Sequence, residues 1–336
     1  MTPEVVLPLR RGLPIVALCF VAMIAAILIA PFIGSTPLDP GRIFSPSIAF
    51  ADNVDAQIFF VARLPRALAA ALVGGTLAAA GVVFQGLLRN PLATPYTLGV
   101  SSGAALGAMV TITFGAAWPL GSVEAASLTG AFVAVMVVYF LATARHQGLS
   151  STVLLLAGVT LNAFFSALIL FVQYLSDFAQ IFRALRWLMG DLDVVSYRPI
   201  FSALPLVVVA FGLFARLARP LNLLTLGADA ASTRGVDVER AQRIAFFGGS
   251  LATGAAVSVG GPIGFVGIIV PHLVRLVVGA DHRLVLPAST FFGAAFLVVC
   301  DVFARTILAP VELPVGVVTA VIGGPFFLWL LVGKRA

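Results

Sequence analysis

Few residues of this 336-residue sequence have the types and spacing that chemistry requires. ATP hydrolysis needs a loop of the form G-x-x-x-x-G-K-[ST], whose lysine contacts the phosphates, but the one lysine is Lys334, two residues from the C-terminus. Cys19 and Cys300 form no CxxC pair, and a lone histidine such as His272 is more often a core residue than a metal ligand. No side chains are arranged as a nucleophile with its base. We therefore expect no ATPase site, metal site, cofactor or catalytic centre in this chain.

The composition is that of a protein surrounded by lipid. Hydrophobic residues make up 60% of the sequence, the mean hydropathy is +1.10, and only 10% of the residues are charged. A soluble domain carries roughly 25% charged residues, so the sequence predicts an all-α polytopic membrane protein. The net charge of +6 comes without a basic run, so we expect the lipid bilayer, and not nucleic acid, as a partner.

Ten segments are candidate membrane-spanning helices of a single domain, residues 1–336. The first follows a basic pair and is longer than the core of a cleaved signal, so we expect it to be retained. The third and eighth are interrupted by glycine and proline, and a shorter amphipathic stretch, about residues 178–190, predicts a helix at a surface. The ten candidates are 13–33, 67–88, 97–118, 123–144, 152–175, 199–216, 241–260, 263–279, 284–307 and 315–333.

The basic residues predict the orientation of these helices. Ten spans place both termini on one side, and with the termini inside, 13 of the 20 lysines and arginines fall in cytoplasmic segments. Because lysine and arginine are enriched in cytoplasmic loops, we expect both termini to be cytoplasmic.

The carboxylates give little support to ion coupling, which would need acidic side chains at membrane depth. Asp301 comes closest, near the end of the ninth candidate span, and Asp177 and Glu312 lie at edges. The chain therefore lacks both usual energy sources for transport. Either a partner supplies the energy or the protein is a passive channel, and an ion-coupled secondary transporter is the alternative.

One segment suits such a partner. Residues 216–243 form the longest predicted cytoplasmic loop, with an apolar side, helix-capping side chains and glycines that break it. This pattern predicts two short helices parallel to the membrane that couple to an ATPase, and a solvated basic loop is the other interpretation. The candidate coupling residues are Leu221, Leu224, Leu226, Gly227, Asp229, Ser232, Arg234 and Gly235.

A series of motifs from about residue 60 to the C-terminus resembles the FecCD-type permeases, which import iron–siderophore complexes, haem or vitamin B12. They occur in order and cover about four-fifths of the chain. The motifs are Arg63-Leu-Pro-Arg66, Phe84-Gln-Gly-Leu-Leu-Arg-Asn-Pro-Leu-Ala93, Leu98-Gly-Val-Ser-Ser-Gly-Ala-Ala-Leu-Gly107, Leu154-Leu-Leu-Ala-Gly-Val159, Trp187-Leu-Met-Gly190, Gly264-Phe-Val-Gly267, Val270-Pro-His-Leu-Val-Arg275, Asp281-His-Arg283 and Glu312-Leu-Pro-Val-Gly-Val-Val-Thr319.

The resemblance implies a type II ABC importer permease fold of ten transmembrane helices in the bacterial inner membrane. It implies a homodimer around a central pathway, two ATPase subunits that use ATP and Mg²⁺, and a periplasmic binding protein that delivers the substrate. Thr94 departs from the pattern, since many relatives carry an acidic residue there, and this departure concerns the inner gate.

The resemblance also implies a cytoplasmic gate at Asn90 and Leu92, where Pro91 fixes a bend. A simple helix-breaking turn is the alternative. A second part of the gate would be Ser150, Ser151 and Thr152, which equally suit a helix N-cap. The pathway candidates are small or weakly polar and could instead form interhelical hydrogen bonds. They are Gln85, Ser101, Ser102, Asn162, Ser166 and Gln173.

Three arginines at predicted outer ends of helices depart from the inside bias of the basic residues. They are Arg63, Arg66 and Arg305. In members of this family, acidic residues of the binding protein dock at this position of the permease. The resemblance therefore implies that the three arginines form an exposed docking patch. Snorkelling of the arginines to the membrane interface is the alternative.

Overall fold

The computed structural model describes residues 9–115, 122–144, 149–193 and 196–333, and these residues are helical with no strand. The end of the third predicted span (116–118), His146 and Lys334 lie outside them. We number thirteen helices: α1 Leu9–Ile29, α2 Leu64–Leu88, α3 Val100–Phe114, α4 Val123–Thr143, α5 Ser151–Tyr174, α6 Phe178–Leu188, α7 Arg198–Ala215, α8 Ala218–Leu224, α9 Ala228–Ser232, α10 Val238–Gly260, α11 Val266–Val278, α12 His282–Thr306 and α13 Val315–Gly333.

Helix α2 forms the centre of the bundle. It is rich in glycine and alanine, and nearly all of its residues are buried against α10, α11 and α12. A Cβ atom added at Gly74 would lie 2.3 Å from the carbonyl oxygen of Gly293, and one at Gly81 would lie 2.0 Å from that of Gly267. Only glycine permits these backbone contacts, as is usual where membrane helices pack closely.

The two ends of the bundle follow from how α2 and α12 pack. Arg66, at the start of α2, contacts Asp301, near the end of α12. Gly86, near the end of α2, faces His282, the first residue of α12. The helices are therefore antiparallel, with about 30 Å between the two contacts at 1.5 Å per residue. We call these the Arg66 end and the His282 end.

Every one of the ten predicted spans falls on a helix, but the helices differ in length and polarity. Six are long and apolar enough to cross a bilayer: Arg10–Phe32, Val54–Leu88, Val123–Thr143, Ser151–Tyr174, Arg198–Ala215 and His282–Thr306. Helices α3, α11 and α13 are apolar but shorter. Helix α10 carries the charged residues Glu239, Arg240 and Arg243 in its first two turns. The number of crossings and the side of the termini remain predictions.

The interrupted third and eighth candidates yield shorter helices than predicted, for a local reason. Gly99 adopts φ +81° between a short 3₁₀ turn and α3, and Gly261 adopts φ +66° at the end of α10. These left-handed conformations, which favour glycine, end one helix before the next begins.

Candidate functional site

A buried ion-pair cluster lies at the Arg66 end. Arg66 Nε donates to Asp301 Oδ1 at 2.8 Å, and Arg66 Nη1 donates to Glu312 Oε2 at 2.5 Å. Arg305, one helical turn after Asp301, has its Nε 3.6 Å from Asp301 Oδ2. Asp301 is 1% exposed, so its charge is balanced by the two arginines and not by water.

The remaining arginine contacts are to backbone carbonyls. Arg305 Nη2 donates to the Ala30 oxygen at 2.6 Å, and Arg63 donates to the oxygens of Pro31 (3.3 Å) and Thr36 (2.6 Å). The last carbonyls of a helix have no partner within it, and these guanidinium groups bond carbonyls at and after the end of α1. The two arginines thus tie the segment after α1 to the bundle.

The expectation of an exposed arginine patch is wrong for this structure. Arg63, Arg66 and Arg305 are 7%, 8% and 4% exposed, because carboxylates and carbonyls of the chain itself surround them. They do come together, since all three line one recess of about 230 Å³ with the half-exposed Glu312. Within the described residues, Arg63 is the one of the three with no ion pair.

The predicted surface helix exists as α6, which begins at an Asp177–Gln180 capping box. Phe178 and Phe182 are exposed on it, and Ala184 is buried against the bundle. Arg186 forms ion pairs of 3.1 and 3.3 Å with Asp191 and Asp193, in the loop that follows the helix.

The candidate gate residues occupy two short segments. Asn90 Oδ1 accepts from the Leu92 amide at 2.9 Å, which is a local turn, and Leu92 is 46% exposed. Ser150 precedes α5 without a side-chain capping bond, so the N-cap interpretation has no support there. Ser151 is half-buried and Thr152 exposed. Among the described residues, no hydrogen bond joins residues 150–152 to the 90–92 turn.

Three of the candidate pathway residues instead hold helices together. Gln85, 4% exposed, donates to the Gly267 oxygen at 3.1 Å and accepts from Arg275, so it links α2 to α11 and is not a lining residue. Ser102 donates to Asn162 Oδ1 at 2.6 Å, which joins α3 to α5.

The other three pathway candidates, Ser101, Ser166 and Gln173, differ in exposure, and Ser166 on α5 is the exposed one. Ser101 is 8% exposed and Gln173 half-buried. Ser166 is exposed, and its side chain forms no hydrogen bond within the described part of the chain.

The predicted coupling loop contains two short helices, α8 and α9, as expected. Leu221 and Leu224 are 1% and 2% exposed, because they pack into this chain's own core, so the expectation that they face a partner is wrong. The surface of the loop is formed by the other candidates: Leu226 (60% exposed), Asp229, Ser232, Arg234 and the glycines Gly227 and Gly235 at φ +112° and +81°.

Asn222 connects this loop to α12. Its Oδ1 accepts from the His282 amide at 2.8 Å and lies 2.7 Å from the ring Nδ1, while its Nδ2 donates to Asp281 Oδ1 at 2.7 Å. The Arg283 side chain donates to the same carboxyl group and lowers the pKa of Asp281 to about 2. The carboxylate is therefore ionised at neutral pH, and the loop is fixed to the first turn of α12.

A family model described as the FecCD transport family matches residues 22–333. The chain belongs to the FecCD transport family. It is 40% identical over 295 residues to the permease YvrB of Bacillus subtilis, covering 87% of this chain and 83% of YvrB. It is 46% identical over 269 residues to the cobalamin import permease BtuC of Halobacterium salinarum (80% and 72% covered), and 40% over 283 residues to the hemin transport permease HmuU of Yersinia pestis (83% and 84%).

Solved structures agree with this membership. One, described as an inward-facing conformation of a metal-chelate type ABC transporter, matches with a TM-score of 0.81 and 32% identity over 96% of this chain and 99% of that one. PsaBC from Streptococcus pneumoniae shares the fold, with a TM-score of 0.53 and 15% identity over 79% and 89%. This FecCD-family chain is therefore a multi-pass membrane protein of the ABC permease type.

Two sets of contacts in this FecCD-family chain go beyond what the sequence predicts. Asp301 and Glu312 bind arginines of the chain itself, and the four-residue spacing of Asp301 and Arg305 is the sequence signal for an intrahelical ion pair. Asn222 was not singled out, because an asparagine between leucines gives no signal of a partner 60 residues away.

Proposed function

We propose that this chain is the permease subunit of a binding-protein-dependent ABC importer that moves a metal chelate across the bacterial inner membrane. The main support for this proposal is the structural similarity to a metal-chelate type ABC transporter, which is 32% identical over 96% of this chain. Cobalamin and hemin permeases among the relatives support a chelate of that size, and ferric siderophores belong to the same class. A separate ATPase subunit, which binds ATP and Mg²⁺, supplies the energy by hydrolysing the ATP.

The buried state of Asp301 argues against the alternative of an ion-coupled carrier. A coupling carboxylate must bind and release its ion during each cycle. Asp301 is 1% exposed, with Arg66 at 2.8 Å and Arg305 at 3.6 Å, so two fixed cations already occupy the positions that a transported cation would take.

The coupling loop would meet the ATPase through its exposed residues. Leu226, Asp229, Ser232 and Arg234 lie on its surface, whereas Leu221 and Leu224 fix it to the core. Through Asn222 the loop is joined to the first turn of α12, and α12 ends at the Arg66 end. A displacement of the loop by the ATPase would therefore act on both ends of the bundle.

The recess at the Arg66 end would receive the binding protein. A carboxylate that entered it would find Arg66 already paired with Asp301 and Glu312, and Arg305 already next to Asp301. Arg63 donates its hydrogen bonds to carbonyl oxygens and forms no ion pair among the described residues, so it is the arginine with which an entering carboxylate would pair. Docking therefore depends on an inserted acidic side chain and not on a flat exposed patch.

The pathway would run between two copies of the chain, along α5. The exposed face of α5 carries Leu156, Val159, Leu170 and Tyr174, with Ser166 between them. A serine without a side-chain hydrogen bond is poorly suited to face lipid, since unsatisfied polar groups are costly there. A second copy and a water-filled pathway would cover this face, with Leu92 and residues 150–152 at its gate.

Reconstituted transport tests the proposal. Proteoliposomes that contain this chain, its ATPase and its binding protein should take up cyanocobalamin, hemin or a ferric siderophore with ATP, and vanadate should stop the uptake. The chain purified free of ATPase subunits should hydrolyse no ATP. Uptake that resists vanadate and stops with an ionophore would instead establish an ion-coupled carrier.

A further inference from the structure

A cleft opens between α7, α8 and α12 at the His282 end, on a surface to which the transport proposal assigns no partner. Its volume is about 450 Å³. Its wall is apolar, formed by Phe211 and Ala215 of α7 and by Leu286, Pro287 and Phe291 of α12, and Arg283 lies at its rim. From Arg283 to Phe291 the wall follows two turns of helix, about 12 Å.

Basic residues lie next to this cleft in the chain: Arg283 lines it, and two further arginines directly follow lining residues. Arg216 and Arg219 directly follow Ala215 and Ala218, which line it, and both arginines are exposed with no ion pair among the described residues. Residues 196–228 contain no acidic side chain. Asp281 is the acidic neighbour, and it is already bonded by Arg283 and Asn222.

Helix α1 adds further positive charge at the same end. A Cβ atom at Gly12 would lie 2.3 Å from Leu284, and the rings of Phe20 and Phe291 are 5.2 Å apart. The two contacts are eight residues apart on α1 and seven residues apart on α12, in the same order along both helices, so α1 and α12 run parallel. The arginines at residues 10–11, both exposed, therefore lie beside the start of α12.

We infer that this cleft binds one anionic phospholipid, with its phosphate among the arginines and an acyl chain along the wall from Ala215 to Phe291. The arginines match the charge of a lipid phosphate, and the apolar wall matches an acyl chain that extends along the helices toward the bilayer centre. An acidic protein surface could meet the arginines but could not fill the apolar wall. The inference requires only that α7 and α12 span a bilayer, and it is independent of the cargo and the energy source.

Lipid retention by the full-length chain in detergent tests the inference. Native mass spectrometry should show dioleoyl phosphatidylglycerol retained in preference to dioleoyl phosphatidylcholine, and inorganic phosphate should not displace it. Arg216→Gln/Arg219→Gln should weaken phosphatidylglycerol binding about tenfold or more, since each juxtamembrane arginine contributes roughly fivefold. Arg240→Gln/Arg243→Gln, which removes two other exposed arginines at the start of α10, should leave binding unchanged, although Arg243 lies 3.6 Å from Glu239.

A second variant separates a site from general electrostatic attraction. Ala215→Trp would fill the cleft while every arginine remains, so phosphatidylglycerol retention should again be lost. Unchanged retention in this variant, equal retention of the two lipids, or equal loss in the Arg240/Arg243 control would overturn the inference. It would also be overturned if Arg216→Gln/Arg219→Gln bound phosphatidylglycerol normally and lost a copurifying ATPase, because the rim would then be a protein contact.

Discussion

Asp301 is the residue on which the Arg66 end depends most. It lies between two arginines in a region from which water is excluded. Breaking a buried ion pair by removing one partner is far more costly than losing an exposed pair, because the other charge stays buried. The cluster therefore has a structural role in joining α2, α12 and the segment before α13, whatever its role in docking.

Asp301→Asn should destabilise the chain by about 3–5 kcal/mol, because Arg66 and Arg305 would lose their shared counter-charge. Thermal unfolding of the purified chain in detergent measures this loss. Asp229→Asn, an exposed carboxylate in α9, is the control and should change stability by less than about 0.5 kcal/mol. Equal melting temperatures for wild type and Asp301→Asn would show that the cluster is not structural.

Arg63 allows docking to be tested without breaking an ion pair. Arg63→Gln should reduce capture of the binding protein up to about fivefold, and wild-type capture should weaken as salt rises. The measurement is the affinity of the binding protein for the transporter in nanodiscs at two ionic strengths. Arg42→Gln, an exposed arginine in the segment between α1 and α2, is the control. If Arg63→Gln left the affinity unchanged and wild-type affinity did not depend on salt, the binding protein would not dock at this recess.

At the scale of elements, the proposed coupling depends most on the link between α8 and α12. Helix α8 is seven residues long and would be marginal alone, so its position depends on Leu221, Leu224 and Asn222. Asn222 bonds the amide and the ring nitrogen of His282 and the carboxylate of Asp281. In the proposed mechanism, a movement of the loop would be transmitted through these bonds to a helix that crosses the bundle.

Asn222→Ala should uncouple ATP hydrolysis from transport while the ATPase still copurifies, because the loop surface at Leu226–Arg234 is unchanged. The ratio of substrate moved to ATP hydrolysed should fall severalfold in proteoliposomes. Thr225→Val is the control, since the Thr225 hydroxyl bonds only the Asn222 carbonyl on the same turn. A normal ratio in Asn222→Ala would show that the loop acts on the bundle through another contact.

The positions of the helices could be predicted from the sequence because every segment that crosses the lipid must be apolar. Hydropathy detects this in each segment by itself, without knowledge of its neighbours in space. The ten candidates therefore fall on helices. The orientation of individual side chains could not be predicted, because it depends on neighbours distant in the sequence. Arg66 and Glu312 are 246 residues apart, and Gln85 and Gly267 are 182 apart.

At the scale of the molecule, the exposed faces of α5 and α7 differ in a way that one chain cannot explain. The exposed residues of α7 include Phe201, Val208 and Val209, and the hydroxyl of its exposed Ser202 donates to the Pro199 oxygen at 2.9 Å, as expected for a helix surrounded by lipid. The exposed face of α5 includes Ser166 and begins at Thr152. We therefore expect lipid to cover α7 and a second copy of the chain, together with the pathway, to cover α5.

Disulfide crosslinking in native membranes tests this arrangement. In a background with Cys19 and Cys300 replaced by alanine, Ala163→Cys or Ser166→Cys on α5 should give a covalent dimer on oxidation, since a two-fold interface brings the same face of both copies together. Val208→Cys, 61% exposed on α7, is the control and should remain monomeric. Because Ala163 and Ser166 are small and exposed, neither change disturbs the core. Crosslinks at Val208 and none along α5 would move the dimer interface to α7, and the pathway proposed along α5 would then have to be abandoned.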